Sequence, residues 1–381
     1  MRSLAIGVIA TIGFAACAAS DTDTADTTGA STAPATPTSD AAAPDDTSPD
    51  EAAPDDTVAD IVADTAAPTT ASDEPATTDT TESEPATSEA APVTEPAQAA
   101  DESDSEPTTT AESGATGADL TADRPYDVFV PSAYDETTPT PLVLLLHGYT
   151  ASGDIQEAYF QFEPLAESRG FLYVHPDGTV DPRGEQFWNA TDACCAFGPN
   201  PPDDAAYLMA IIEQVSTEYN VDPKAVFLAG HSNGGFMSYR MACDHADTIA
   251  GIASLAGASF ADIADCTPSE PVSVLQVHGT DDETIAFTGG AIIGSEYPSA
   301  AETVGYWSDY NGCDATPTST ADVLDLDSGI DGAESDIDAF AGCSQGTEVN
   351  LWTIDGGRHV PPVTEEFSAG VIDFLLAHPK P

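Results

Sequence analysis

A serine between two glycines is the first group of residues that could carry out chemistry. The segment GHSNG at 230–234 fits the glycine-x-serine-x-glycine pattern of a nucleophile elbow, in which a tight turn between a strand and a helix exposes the serine hydroxyl. The apolar run at 225–229 predicts that strand, and the segment 236–243 predicts the helix. A serine hydroxyl is a weak nucleophile until a neighbouring base removes its proton. The pattern therefore predicts Ser232 as a nucleophile for acyl transfer.

The acid and the base that such a serine needs should follow it along the chain in the order serine, acid, histidine. His359 follows an apolar run and is the expected base, because His378 lies after the last helix, in a terminus expected to be mobile. The segment HGTDD ends another apolar run and offers two carboxylates for the acid. We prefer Asp282, although the order of residues alone does not separate it from Asp281.

Two backbone amides should stabilise the oxyanion that forms when a serine attacks a carbonyl group. One is expected from Asn233, directly after the nucleophile. The other should come from the loop that follows the early apolar run LVLLL, and is the amide of either Tyr149 or Thr150. The loops after the strands should also form the acyl pocket, with Tyr149, Trp188 and Phe287 as aromatic walls unless these rings belong to the core.

The elements that must position these residues alternate between strands and helices. The predicted strands are apolar or alternating runs at 126–130, 142–146, 171–175, 225–229, 249–255, 272–277 and 350–354. The predicted helices lie at 158–168, 236–243, 300–310 and 367–377, and a further helix is predicted to begin after an N-cap at Asp203. This order predicts an α/β fold with a mostly parallel central sheet covered by helices on both faces.

Composition divides the 381 residues into three segments. Residues 1–17 have a positive start, an apolar run and a small-residue site ending in Cys17, which is typical of a signal peptide. The site resembles a bacterial lipobox, so Cys17 is expected to be lipidated; an ordinary signal peptide cut nearby is the alternative. Residues 18–120 hold 25 of the 66 acidic residues and no Lys, Arg or aromatic residue, and we expect a long disordered acidic linker. Residues 121–381 should form one catalytic domain.

The net charge of −58 argues against nucleic acid as a partner, because no basic stripe is present to neutralise phosphates. An anionic membrane should repel the domain too, which leaves an N-terminal lipid as the one expected membrane contact. We expect a monomer located outside the cell or on the cell envelope. No cofactor is expected, and no metal, because the cysteine and histidine spacings of metal sites are missing.

The cysteines after Cys17 number six, and an even number in an exported domain predicts disulfides. Proximity and placement in the predicted elements favour two pairs, Cys243 with Cys266 and Cys313 with Cys343. The adjacent Cys194 and Cys195 then remain as a vicinal disulfide or as two thiols.

These segments, in this order, resemble the exported α/β-hydrolases grouped as polyhydroxybutyrate depolymerase-like and feruloyl esterase-like proteins. The resemblance covers Arg124 to Ala377 and rests on LLLHGYTASG, FWNATDACC, VFLAGHSNGG, VLQVHGTDDETIAF, WSDYNGC and LWTIDGGRH. It implies the α/β-hydrolase fold and, through HGTDD, Asp282 as the acid. The chain departs from the family pattern at Ala286-Phe287 and at 360–362, and both segments flank the predicted pocket.

The expected function is that of a secreted or surface-tethered serine esterase that works through an acyl-enzyme. Its expected substrates are hydroxyalkanoate oligomers or polyester, or feruloyl or short-chain acyl esters. We favour soluble or loosely packed esters over long-chain lipids, because the sequence offers no apolar lid. Two alternatives are a hydrolase-fold protein that has lost catalysis and acts in binding or adhesion, and a peptidase on the same fold.

Overall fold

The computed structural model describes residues 117–381. The predicted signal peptide, the lipidation of Cys17 and nearly all of the predicted linker lie outside these residues. The predicted boundary between linker and domain, at 120 and 121, falls inside the first helix, which packs on a later helix through Thr121 and Gln214. This helix begins at Gly117, four residues before the predicted start of the domain at 121.

Twelve strands occur in the described part of the chain. They are β1 Thr140–Leu146, β2 Leu172–Val174, β3 Thr179–Val180, β4 Gln186–Phe187, β5 Val221–His231, β6 Gly251–Leu255, β7 Ser273–Gly279, β8 Gly290–Ile292, β9 Ser295–Tyr297, β10 Thr318–Leu324, β11 Ser335–Phe340 and β12 Val349–Ile354. Eight of them form one sheet in the order β10-β11-β12-β7-β6-β5-β1-β2. The six strands from β12 to β2 are parallel, whereas β10 and β11 add an antiparallel edge. The two remaining pairs, β3 with β4 and β8 with β9, form small ribbons.

Seven α-helices accompany the strands of the described residues. They are α1 Gly117–Asp123, α2 Gly153–Phe160, α3 Glu163–Arg169, α4 Asp204–Glu218, α5 Asn233–Asp244, α6 Ala300–Tyr310 and α7 Glu365–Ala377. None of the helices in residues 117–381 has the length and apolar character needed to cross a membrane.

Apolar side chains on both faces of the sheet explain why its central strands have continuous apolar sequences. In β1, Leu142, Leu144 and Leu146 point into a core shared with α4, α5 and α6. Val143 and Leu145 point into a second core shared with α2, α3 and α7. The predicted α/β-hydrolase fold, with a mostly parallel sheet between two helical layers, is confirmed.

Two predicted elements are wrong. The segment 126–130 forms only a single bridge, between Phe129 and Tyr173, because Pro125 and Pro131 flank it and proline has no amide hydrogen for a ladder. The helix predicted at 158–168 is two helices, since Gln161 adopts a left-handed conformation and Pro164 begins a new helical turn. The antiparallel β10 and β11 are additional strands that the sequence pattern did not indicate.

Candidate active site

Ser232 lies on the turn between β5 and α5, at the carboxyl edge of the parallel strands. Its backbone has φ 52° and ψ −118°, a strained conformation for a residue with a side chain, and its amide is fixed by the carbonyl of Leu255 at 2.8 Å. The flanking glycines are required by close backbone contacts: a Cβ on Gly230 would lie 2.3 Å from Gly234, and a Cβ on Gly234 would lie 2.1 Å from the carbonyl oxygen of Leu146. The local geometry is that of a nucleophile elbow.

His359 lies in the loop after β12 and contacts both other members of the expected triad. Its Nε2 atom is 2.9 Å from Oγ of Ser232, and its Nδ1 atom is 2.8 Å from Oδ2 of Asp282. A base in hydrogen-bond contact with the serine, oriented by a carboxylate on its other nitrogen, is the arrangement that activates a serine hydroxyl. The structure thus brings together the three residues that the sequence selected.

The two neighbouring aspartates differ sharply in environment. Asp282 is 5% exposed, and its Oδ1 atom accepts hydrogen bonds from the amides of Thr284 and Ile285, both at 2.8 Å. Burial raises the pKa of this carboxyl, but hydrogen bonds from His278 and His359 outweigh burial and hold the pKa well below its usual range. Asp281 is exposed and contributes only its amide, which donates to the carbonyl of Gly357. The geometry therefore favours Asp282 over Asp281 as the partner of the histidine.

The amides of Asn233 and Tyr149 are available for an oxyanion. Asn233 is the first residue of α5, where an amide has no partner within the helix. In the described part of the chain, the Tyr149 amide also donates to no protein group, whereas the Thr150 amide donates to the carbonyl of Gln186 at 2.9 Å. Thr150 is therefore the wrong choice of the two candidates, because its amide is already used within the fold.

Comparison with known proteins finds similar esterases. The Phospholipase/Carboxylesterase family matches residues 132–304, which include Ser232 and Asp282. Feruloyl esterase B of Piromyces equi is 28% identical over 237 residues, which cover 60% of this chain and 41% of that protein. The putative esterase NocK of Nocardia uniformis is 28% identical over 58% of this chain and 65% of its own length. A probable feruloyl esterase C of Aspergillus niger is 28% identical over 63% of this chain and 78% of its own length.

The chain is similar to the feruloyl esterase-like α/β-hydrolases. It spans less than two thirds of the length of the first two of these relatives. This similarity agrees with the fold and with the placement of Ser232, Asp282 and His359 at one edge of the sheet.

Two further histidines of this α/β-hydrolase support the triad without joining it. His278 lies under the acid, with Nε2 3.4 Å from Oδ2 of Asp282 and 2.7 Å from the carbonyl of Ile285. His231 is buried, and its Nε2 atom lies 2.8 Å from the carbonyl oxygen of His359. His278 thus braces the carboxylate of Asp282, and His231 braces the main chain of His359.

The other histidine considered as a base does not enter the site. His378 caps α7, with Nδ1 2.7 Å from the carbonyl of Phe374 and Nε2 2.9 Å from Oε2 of Glu348. These contacts tie the end of α7 to Glu348, the residue directly before β12, rather than to the nucleophile elbow.

The aromatic residues expected in the pocket divide into core and surface. Trp188 was expected as a wall but is fully buried, because its ring stacks on Tyr207 in the core below the elbow; its assignment to the pocket is wrong. Phe287 is half-buried and packs edge-on against His278. Tyr149 is half-buried as well and contacts the ring of Phe197, which is 49% exposed.

All six cysteines of the described residues are paired in disulfides. The bonds join Cys194 with Cys195, Cys243 with Cys266, and Cys313 with Cys343. Two of the three are the pairs favoured by the sequence, and the adjacent cysteines are bonded rather than free. Residues 117–381 hold no group of three or more His, Cys, Asp or Glu side chains placed to bind a metal ion.

Proposed function

We propose that the protein is a serine esterase that hydrolyses carboxylic esters through an acyl-enzyme. The observation that carries the proposal is the continuous hydrogen-bonded chain from Ser232 through His359 to Asp282, together with the amides of Asn233 and Tyr149, which have no acceptor among the described residues. The names of the relatives, feruloyl esterases and a putative esterase, support the same reaction class.

In the first half of the reaction, Oγ of Ser232 attacks the ester carbonyl carbon and His359 Nε2 takes the hydroxyl proton. The carbonyl oxygen becomes an oxyanion that accepts hydrogen bonds from the amides of Asn233 and Tyr149. Collapse of this intermediate breaks the bond between the acyl carbon and the alcohol oxygen. The proton on His359 then passes to the departing alkoxide, and the alcohol leaves.

In the second half, water replaces the alcohol. His359 removes a proton from the water as its oxygen attacks the acyl carbon, and a second oxyanion forms on the same two amides. Collapse returns the proton to Oγ of Ser232 and releases the carboxylic acid. Asp282 stays ionised throughout and stabilises the imidazolium, in keeping with its lowered pKa.

For the substrate, we propose soluble esters with a short or phenolic acyl group. The half-buried rings of Tyr149 and Phe287 and the exposed ring of Phe197 offer apolar faces on loops at the carboxyl edge of the sheet, and such faces suit a phenolic ring. Hydroxybutyrate oligomers are the second candidate, because their methyl-bearing units would fit the same faces.

We also propose that the protein is exported and acts as a monomer without nucleic-acid partners. Three disulfides in residues 117–381 suit an oxidising compartment, and the large negative charge disfavours phosphate backbones.

The nucleophile is tested by Ser232→Ala. We expect a fluorophosphonate to label the wild type but not the variant, and turnover of p-nitrophenyl acetate to fall to background while the unfolding midpoint stays the same. An inactive binding protein would show no turnover even in the wild type. Turnover retained by Ser232→Ala would contradict the assignment.

The substrate class is tested with p-nitrophenyl esters of two to about sixteen carbons, methyl ferulate, a hydroxybutyrate trimer and a peptide amide. We expect the highest kcat/KM on short acyl groups or on ferulate. A preference for the trimer would favour the oligomer candidate, and a maximum at twelve carbons or more would overturn the proposal. Faster cleavage of the amide than of the esters would identify a peptidase.

A further inference from the structure

A short segment, residues 186–188, contacts both sources of oxyanion amides; we call it the strap. At one end, the carbonyl oxygen of Gln186 accepts a hydrogen bond from the amide of Thr150 at 2.9 Å. At the other end, Nε1 of Trp188 donates to the carbonyl oxygen of His147 at 3.1 Å. The strap therefore fixes the main chain on either side of Tyr149, whose own amide is left free for the oxyanion.

The same strap holds the second amide donor through its side chain. Oδ1 of Asn233 accepts from the amide of Trp188 at 2.7 Å, and Nδ2 of Asn233 donates to the carbonyl of Trp188 at 3.0 Å. Both residues are fully buried, so neither hydrogen bond competes with water. A single residue, Trp188, thus links the loop of one oxyanion donor to the side chain of the other.

The strap is itself anchored at its far end. The amide of the next residue, Asn189, donates to Oδ2 of Asp204 at 2.7 Å, and the Oδ1 atom of that buried carboxylate pairs with Arg124 at 2.6 Å. The carbonyl of Trp188 also accepts from the amide of Cys195, and Sγ of Cys194 lies 3.5 Å from Nδ2 of Asn233. These contacts leave Trp188 little freedom to move.

We propose that Trp188 is a positioning residue that sets the spacing between the Tyr149 and Asn233 amides. This inference rests on the proposed esterase function. The two amides come from different loops, and the oxyanion requires both donors at about 2.7 to 3.1 Å from one oxygen atom. Because a misplacement of about 1 Å can cost about a hundredfold in rate, a residue that bonds to both loops should affect catalysis without touching the substrate.

The test is Trp188→Phe, with Trp307→Phe as a matched control. Trp307 is also fully buried, and its Nε1 atom donates to Oγ of Ser259 at 3.3 Å, far along the chain from either donor loop. Both substitutions remove one indole N–H and a similar volume from the core. We expect Trp188→Phe to lower kcat at least about tenfold with KM changed less than about twofold, and Trp307→Phe to keep the wild-type kcat.

A second measurement separates positioning from general loss of structure. A trifluoromethyl ketone forms a tetrahedral adduct with a nucleophilic serine, and its oxygen occupies the oxyanion hole. In Trp188→Phe its inhibition constant should rise in proportion to the fall in kcat/KM. Asn233→Ala should act in the same direction. The double variant should lose less than the product of the single losses, because the indole bond to His147 and the Asn233 bonds to the Trp188 main chain lie in series between the two amides, and breaking either one already uncouples them.

The outcomes are distinguishable. Equal losses in Trp188→Phe and Trp307→Phe, an unchanged kcat in Trp188→Phe, or a rise in KM alone would overturn the inference and leave the esterase function intact. A wild type that neither turns over esters nor binds the ketone would overturn both.

Discussion

Nε2 of His231 lies 2.8 Å from the carbonyl oxygen of His359, so the residue directly before the nucleophile holds the main chain of the base. Burial first, and the neighbouring His359 second, lower the pKa of His231 to about 3. His231 is thus neutral near pH 7, and a proton on Nε2 makes it the donor in this contact. Tyr159 assists by donating to the carbonyl of Pro361 at 2.6 Å.

The first prediction is that the donor, rather than the ring, of His231 matters for catalysis. His231→Leu should lower kcat/KM by about ten- to a hundredfold, because the loop of His359 loses a fixed point. His231→Gln should retain most of the activity, since its amide can donate from nearly the same place. Steady-state kinetics on p-nitrophenyl acetate check this, and equal losses in both variants would mean that ring packing is what counts.

The second prediction concerns stability and pH. The unfolded chain binds a proton at His231 near pH 6.5, whereas the folded chain binds it only near pH 3. The contribution of His231 to the free energy of unfolding is therefore complete above pH 6.5 and is lost as the pH falls towards 3. Glutamine does not titrate, so His231→Gln does not lose this contribution. As the pH falls from 7 to 5, its free energy of unfolding, measured with urea, should rise by about 1 to 2 kcal/mol relative to that of the wild type.

His378→Gln serves as a control of opposite sign. Burial lowers the pKa of His378, but the hydrogen bond with Glu348 and that with the Phe374 carbonyl outweigh burial, so the net pKa is raised. Its stabilisation is complete below pH 6.5 and disappears as the pH rises through the folded pKa. This variant should therefore lose stability relative to wild type on going from pH 8 to pH 5. If both variants shifted in the same direction, at least one of the two histidine assignments would be wrong.

The third prediction separates the two aspartates of the acid loop. Asp282→Asn should lower kcat by about 10⁴-fold, because an amide favours the wrong tautomer of His359 and cannot stabilise the imidazolium. Asp281→Asn should stay within about twofold of wild type, since its side chain is exposed and only its amide is used. If the two variants exchanged these effects, the acid would be Asp281.

The catalytic residues could be selected from the sequence for two reasons. The glycine pattern is required by the tight turn that carries the nucleophile, and the chain order serine, acid, histidine follows from the order of the strands. Ser232, Asp282 and His359 each follow an apolar run, and parallel strands bring their carboxyl ends to the same edge. The strands β10 and β11 could not be recognised, because one face of this edge hairpin is solvated and its sequence is polar.

The roles of Trp188 and Thr150 could not be predicted from the sequence. A tryptophan in a predicted loop is compatible with a position in the pocket wall or in the core. Only the hydrogen bonds of Trp188 to His147 and Asn233 show that it lies in the core. Tyr149 and Thr150 are adjacent, and the choice depends on a backbone contact with Gln186 in a two-residue strand. Both roles depend on contacts between residues 186–188 and residues that are distant in sequence.

The last prediction uses two helical glycines with opposite surroundings. A Cβ on Gly234 would lie 2.1 Å from the carbonyl oxygen of Leu146 and 2.7 Å from that of His147, both backbone atoms that cannot rotate away. Gly234→Ala should therefore push the first turn of α5 off β1, destabilise the fold by about 2 kcal/mol or more, and abolish ester turnover.

Gly305 lies in the middle of α6, and a Cβ there would meet no atom within 4 Å apart from the helix's own neighbouring backbone. Gly305→Ala should raise the free energy of unfolding by about 0.5 to 1 kcal/mol, because alanine loses less backbone entropy in a helix, and should leave kcat unchanged. Urea unfolding and ester turnover on both variants check the pair. An active, stable Gly234→Ala would mean that the nucleophile turn does not pack on β1 as closely as described, and the placement of Ser232 against the Tyr149 loop would have to be revised.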